Sequence, residues 1–146
     1  MLFRSPASSA NRWRAVARWS SAALLLALFS GAAAADWTAV GRANEIYAAY
    51  ADRDSIRRRA GVASMHGLYD FRRQDFTPEG RGLYSTAVLR EYDCTGRRVR
   101  LLSAIDFSGH MGEGTAVSTS AAPGRWEPVL AGGIDDEFWQ LACGAK

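Results

Sequence analysis

The sequence predicts an α+β fold, mainly β: a small antiparallel sheet with a C-terminal helix packed on it and tethered by one disulfide. Three observations carry this. Two strand-like runs, residues 83–93 and 98–107, are separated only by Cys94-Thr95-Gly96-Arg97, and strands joined so closely form an antiparallel hairpin. Near the end of the sequence Ile134, Phe138, Leu141 and Ala142 recur at i, i+4, i+7 and i+8, the spacing of a helix with one apolar stripe. The only two cysteines, Cys94 and Cys143, fall at the turn of that hairpin and the end of that helix.

The first 35 residues differ from the rest. Arg4, Arg12, Arg14 and Arg18 stand unopposed by any acid, an apolar run from Ala22 to Phe29 follows, and the segment closes on Ala32-Ala33-Ala34-Ala35. A charged start, a short apolar middle and a small-residue end is the order of a secretory signal peptide. The apolar run is shorter than the roughly 20 residues that span a bilayer. Cleavage is expected after Ala35, or after Ala34, leaving residues 36–146 as the working domain. No twin-arginine pair precedes the apolar run, which favours the general secretory route. No cysteine follows it to carry a lipid. No transmembrane segment is expected once the signal is removed.

The signal also carries the charge. The chain has 18 Lys+Arg against 15 Asp+Glu; without the four signal arginines the balance is 14 against 15. A near-neutral exported domain lacks the basic footprint of a nucleic-acid binder. In an oxidising compartment the two cysteines are expected to pair. The bridge closes a loop of roughly 50 residues, for which chain entropy gives about 4 kcal/mol.

The elements read as follows. Residues 37–41 suggest a first strand. Ile46, Ala48 and Tyr50 alternate with Tyr47 and Ala49 in a second. Asp52-Arg53-Asp54-Ser55 breaks that pattern, and Asp54 or Ser55 is placed to cap one short helical turn through Arg58. Residues 61–71 alternate with period two and read as a strand. Residues 74–81, with Pro78 and Gly80, read as a loop. On the second arm of the hairpin Val99, Leu101, Ser103, Ile105 and Phe107 form one face. Residues 109–114 form a turn region, 115–118 a short strand and 126–130 another, at an edge because of Pro128. Asp135, Asp136 and Glu137 suit the first turn of the final helix, and Gly144 suits its end. Trp37, Trp126 and Trp139 are expected in the core, with a partner-binding aromatic among them as the alternative.

The sequence offers little catalytic chemistry. HExxH, GxSxG and phosphate-loop patterns are absent, as is CxxC, and no cofactor or metal motif is present. His66 reads as a strand residue and His110 as a turn residue. The acids at 135–137 read as a helix start rather than a cation site. Two arginine groups are candidate partner-binding residues: Arg57, Arg58 and Arg59, and Arg97, Arg98 and Arg100. Guanidinium groups bind carboxylates and sulfates bidentately, so an acidic protein or a sulfated, acidic glycan is the implied partner class. A solvated sheet face is the simpler explanation of the same residues.

The order of several short features resembles a known family. These are Trp37, Tyr50-Ala51-Asp52 with Ser55-Ile56, Leu68-Tyr69-Asp70-Phe71, and Tyr84-Ser85 leading to Glu91-Tyr92-Asp93-Cys94. Arg100-Leu101, Ser108 with Met111-Gly112-Glu113-Gly114, and Trp126, Phe138, Trp139 and Cys143 complete the order. Together they resemble the bacterial surface-adhesin protein E family over essentially the whole mature domain. The resemblance implies carriage by Gram-negative bacteria, in the periplasm or at the outer cell surface. It further implies a disulfide-tethered helix on an antiparallel sheet, binding of host extracellular-matrix proteins without catalysis, and pairing as a homodimer, for which a free sheet edge is the expected means. The sequence departs from the named adhesin in lacking a lipid-bearing cysteine at the cleavage site. A periplasmic module with a bacterial envelope partner is the alternative, and a small hydrolase or hydrolase inhibitor is a further one.

Overall fold

The computed structural model describes residues 35–144. The expected signal segment lies outside the described residues apart from Ala35.

Six strands cross the sheet in chain order, each antiparallel to the one before. They are β1 (Trp37–Val40), β2 (Tyr47–Arg59), β3 (Val62–Phe76), β4 (Gly82–Asp93), β5 (Arg98–Phe107) and β6 (Ala116–Ser120). A two-residue strand, β7 (Glu127–Pro128), pairs with Arg98 and Val99 beside β5. The helix α1 (Ile134–Cys143) follows, with Gly144 in the left-handed conformation at its end. The hairpin and helix therefore form where the sequence places them, and so does the disulfide: Cys94 and Cys143 are bonded, with Cα atoms 5.5 Å apart.

The helix covers one face of the sheet. Phe138 and Ala142 are fully buried there with Ala49, Ala51, Ala63, Met65, Tyr92 and Val99. The small residues on β2 and β3 matter, because they let the helix approach. Gly67 is the closest case: a Cβ at that position would stand 3.2 Å from the Phe138 ring. Burial of a side chain the size of Phe138 contributes about 1.5–3 kcal/mol. Polar contacts fix the helix at both ends. Arg58 Nε donates to the Ala142 carbonyl at 2.7 Å, Trp139 Nε1 donates to the Asp93 carbonyl at 3.0 Å, and Arg97 pairs with Asp136 at 2.5 Å. Arg90 Nη1 donates to Asp135 at 2.7 Å and to the Tyr69 hydroxyl at 2.8 Å.

Several expectations are corrected. No helical turn forms between Asp54 and Arg58. The strand runs on through a bulge, since the register passes from Asp52 opposite His66 directly to Arg57 opposite Ser64. Asp52 and Ser55 make the local bonds of a cap, but within the bulge. Asp52 Oδ1 accepts the Asp54 N–H, and Ser55 Oγ donates to the Asp52 carbonyl while accepting the N–H of His66. β3 extends to Phe76 past a second irregularity between Asp70 and Asp75, which shortens the predicted loop. The expected strand at 126–130 contracts to Glu127–Pro128.

β5 is also not one continuous face. Leu89 lies opposite Ser103 and Arg90 opposite Leu101, so Leu102 is an extra residue. One extra residue reverses the sides that follow it. Val99 and Leu101 therefore face the helix, whereas Ser103, Ile105 and Phe107 face away from it. None of the three tryptophans named above is fully buried; each is half-buried.

Candidate functional site: the open face of the sheet

The face opposite the helix is uncovered over much of its area. Residues directly opposite on neighbouring strands share a face, so the register gives this surface row by row. Nearest the disulfide, Arg59, Val62, Asp93 and Arg98 form one row across β2 to β5. The next is Arg57, Ser64, Glu91 and Arg100, and a third joins Trp37, Asp52, His66, Leu89 and Ser103. The fourth is the apolar centre: Tyr50, Leu68, Ala87 and Ile105.

The turn after β5 covers the far side of that centre. Its residues His110–Gly112 form a short 3-10-like turn kinked at Met111 that passes over the fully buried Leu68. Two side chains hold it. The Ser85 hydroxyl donates to the Gly109 carbonyl at 2.6 Å and accepts the Gly112 N–H at 2.9 Å. The Asp70 carboxylate accepts the Met111 N–H at 2.7 Å and lies 3.2 Å from His110 Nδ1, whose ring packs on Tyr84. Met111 has a positive φ of 56°, a conformation disfavoured for a side-chain-bearing residue.

The six sequence-predicted arginines separate into two roles. Arg58 and Arg97 belong to the helix side: Arg58 closes the helix end, while Arg97 pairs with Asp136 and stacks 4.8 Å from the Trp139 ring. The other four lie on the open face, two on β2 and two on β5, with β3 and β4 between them. Strands lie about 4.8 Å apart, so the two pairs are separated by roughly 14 Å. Arg98 pairs with Asp93 at 2.6 Å and Arg100 with Glu91 at 2.5 Å, and both stack on Trp126, at 5.6 and 4.6 Å. Arg57 donates to the carbonyls of Asp54 and Ile56 within its own bulge. Arg59 is exposed and has no ion-pair partner among the described residues. Two rows thus carry four arginines against two carboxylates, flanked by an indole. Sequence reasoning missed Trp126 as a member of this surface; its stacking depends on β7 returning to β5.

Two acids, Asp93 on the open face and Asp136 on the helix, are held ionised by their surroundings. The N–H of Gly96, then the Arg98 guanidinium, lower the pKa of Asp93. The N–H of Gly132, the Gln140 side chain and Arg97 lower that of Asp136. On the helix face, burial pushes the Tyr69 hydroxyl up to about 12, so it is protonated at neutral pH while its oxygen accepts the Arg90 N–H.

The acids at 135–137 open the helix as expected, and two of them carry arginine partners, Arg90 for Asp135 and Arg97 for Asp136. His66 is exposed, across from Asp52. His110 is the one histidine beside a carboxylate in an ion-pair geometry. The nearby Ser85 is fully buried and both bonds of its hydroxyl go to the turn backbone. The Asp70–His110 pair therefore anchors a turn, and Ser85 is not presented as a nucleophile.

A small up-and-down sheet with a disulfide-tethered helix on one face and a charged, uncovered second face defines a compact scaffold for surface binding. The chain belongs to the surface-adhesin protein E family, whose model matches residues 37–144. Solved structures of Haemophilus influenzae protein E are similar in fold. Its selenomethionine form superposes with a TM-score of 0.59 at 13% identity, covering 75% of this chain and 86% of that one. A second structure of protein E gives 0.57 at 12% identity, covering 74% and 83%. Protein E from non-typeable Haemophilus influenzae gives 0.54 at 12% identity, covering 73% and 75%. No curated protein sequence matches the chain. Family membership supports a surface adhesin-like, non-enzymatic module with protein partners. Among the described residues no helix is long and apolar enough to cross a membrane.

Proposed function

We propose that the chain is an exported binding module that takes an acidic protein surface against the arginine rows of its open face. The observation that carries this is the placement of Arg57, Arg59, Arg98 and Arg100, from two distant stretches of sequence, in two adjacent rows of one uncovered surface. Arg59 is free to pair, and the ion pairs of Arg98 and Arg100 are partly exposed, so an incoming carboxylate can share or replace Asp93 and Glu91. Complementary charge of this kind steers association and selects partners more than it adds affinity.

In this reading residues 1–35 direct the chain through the general secretory route and are removed. The mature domain acts at the outer surface of a Gram-negative cell, and the partner is a host extracellular-matrix protein. Protease treatment of intact cells carrying a C-terminally tagged chain tests the location. Loss of the tag, with a periplasmic control untouched, supports surface display. Protection until the outer membrane is opened replaces the host partner with an envelope one. Binding to immobilised matrix proteins then tests the site. The pair Arg57→Glu and Arg59→Glu should weaken binding at least tenfold, and wild-type binding should fall as salt rises. Unchanged binding by that pair removes the open face from the interaction.

A further inference from the structure

The third row of the open face departs from the first two. Each of those carries two arginines against one carboxylate, whereas the third carries the Asp52 carboxylate and His66. His66 is the one exposed residue of β3 between Val62 and Phe71, so its ring reaches solvent from the middle of an otherwise half-buried or buried stretch. The bulge in β2 fixes it there. Its N–H donates to Ser55 Oγ at 2.9 Å, and the register passes over residues 53–56 beside it.

Charged groups flank His66 on both neighbouring strands. On β2 they are Asp52 directly opposite, Arg53 and Asp54 in the bulge, and Arg57 in the next row. On β4 the residue opposite is the uncharged Leu89, and Glu91, one row along, is held by Arg100. Rows on one face are two residues apart, so the Arg57 row lies about 7 Å from His66 along the strand. Asp52 accepts the Asp54 N–H and has no ion-pair partner among the described residues. An acidic partner laid over the arginines therefore meets a repelling carboxylate in the third row. His110 is placed differently. Its Nδ1 stands 3.2 Å from both oxygens of Asp70, so a charge gained there is taken up inside the turn.

We infer that His66 is a pH-dependent member of the partner-binding face: in mild acid its imidazolium offsets Asp52, joins the third row to the arginine rows and tightens the hold on an acidic polypeptide. The inference rests on the reading of the arginine rows given above. Histidine is the side chain whose charge ordinarily changes between about pH 5 and 8, a range in which the carboxylates of a partner stay largely ionised. Linkage fixes the sign. A carboxylate held beside His66 favours its charged form, so acid favours the carboxylate in return. One unit charge about 7 Å from a carboxylate in water changes its binding about threefold.

The test uses the full chain purified from an exporting host and a synthetic peptide in which aspartate alternates with serine. About nine residues suffice, since in extended form they more than cross the roughly 14 Å between the arginine pairs. Affinity is measured at about pH 7.5 and about pH 5.5, in about 10 mM salt, where charges act over about 30 Å. The expected result is binding about threefold tighter at the lower pH. His66→Gln should remove that difference without lowering the melting temperature, because the ring is exposed, and His110→Gln should keep it. Asp52→Asn, which retains an acceptor for the Asp54 N–H, should bind more tightly than the parent already at the higher pH. Equal binding at both pH values, a pH response that survives His66→Gln, or Asp52→Asn binding no tighter than the parent overturns the inference and leaves the arginine rows standing. A peptide that binds at neither pH overturns both.

Discussion

Phe138 of the helix lies against the bare backbone of Gly67, where a Cβ would stand 3.2 Å from the ring and 3.3 Å from Val88. The helix reaches the sheet because one residue under it has no side chain. Gly67→Val inserts three carbons into this contact and should destabilise the domain by about 1–3 kcal/mol. Thermal melts of the two proteins, compared at one pH, measure it.

The bond between Cys94 and Cys143 spans 49 residues. Either cysteine replaced by serine should lower stability by about 2–4 kcal/mol, read as a drop in denaturant midpoint for protein made in an oxidising compartment. The loss should stop short of unfolding, because Arg58, Arg97 and Trp139 also hold the helix. Equal midpoints for mutant and parent would contradict the prediction.

Acid should loosen the same region. Asp93 and Asp136 have folded pKa values below their ordinary ones. The unfolded chain therefore binds protons that the folded chain refuses. Their stabilisation is complete above the usual carboxylate range near pH 4, and is lost as pH falls through the lower folded values. Asp136→Asn should flatten the acid limb of a stability–pH curve. A curve as steep as that of the parent would remove Asp136 from this role.

The turn at residues 110–112 is held by the Asp70 carboxylate together with the Ser85 hydroxyl. Asp70→Ala removes the acceptor of the Met111 N–H and the partner of His110. Amide exchange at residues 110–113 should accelerate while β2 and β4 stay protected. Protection that persists at Met111 would mean Ser85 holds the turn alone.

Local pattern made part of this fold legible. The β4–β5 hairpin and α1 follow from spacing over a few residues, and both stand where that spacing puts them. The misreadings of residues 52–58 and of the faces of β5 share one physical cause, which is register. Asp52 and Ser55 make short-range backbone bonds that serve a helix cap and a bulge equally well, so residues 52–58 read as a turn. The extra residue Leu102 reverses the faces of β5, and no alternation pattern reveals an unpaired residue. The arginines were visible in sequence as two groups. Their regrouping, four to the open face and two to the helix, depends on pairings between residues far apart in the chain. Trp126 joins them only through β7.

The order of the strands has a consequence for how the domain is assembled. Every strand from β2 to β6 pairs with the one before it, so the sheet can zip up by successive hairpins, each closing a short loop. Such near-neighbour contacts speed folding. Only the return of the chain to β5 and the docking of α1 must wait for distant parts to meet. In a sheet built outward in this way β6 is the last rung, and its outer side is the position where the zipping stops for want of another strand.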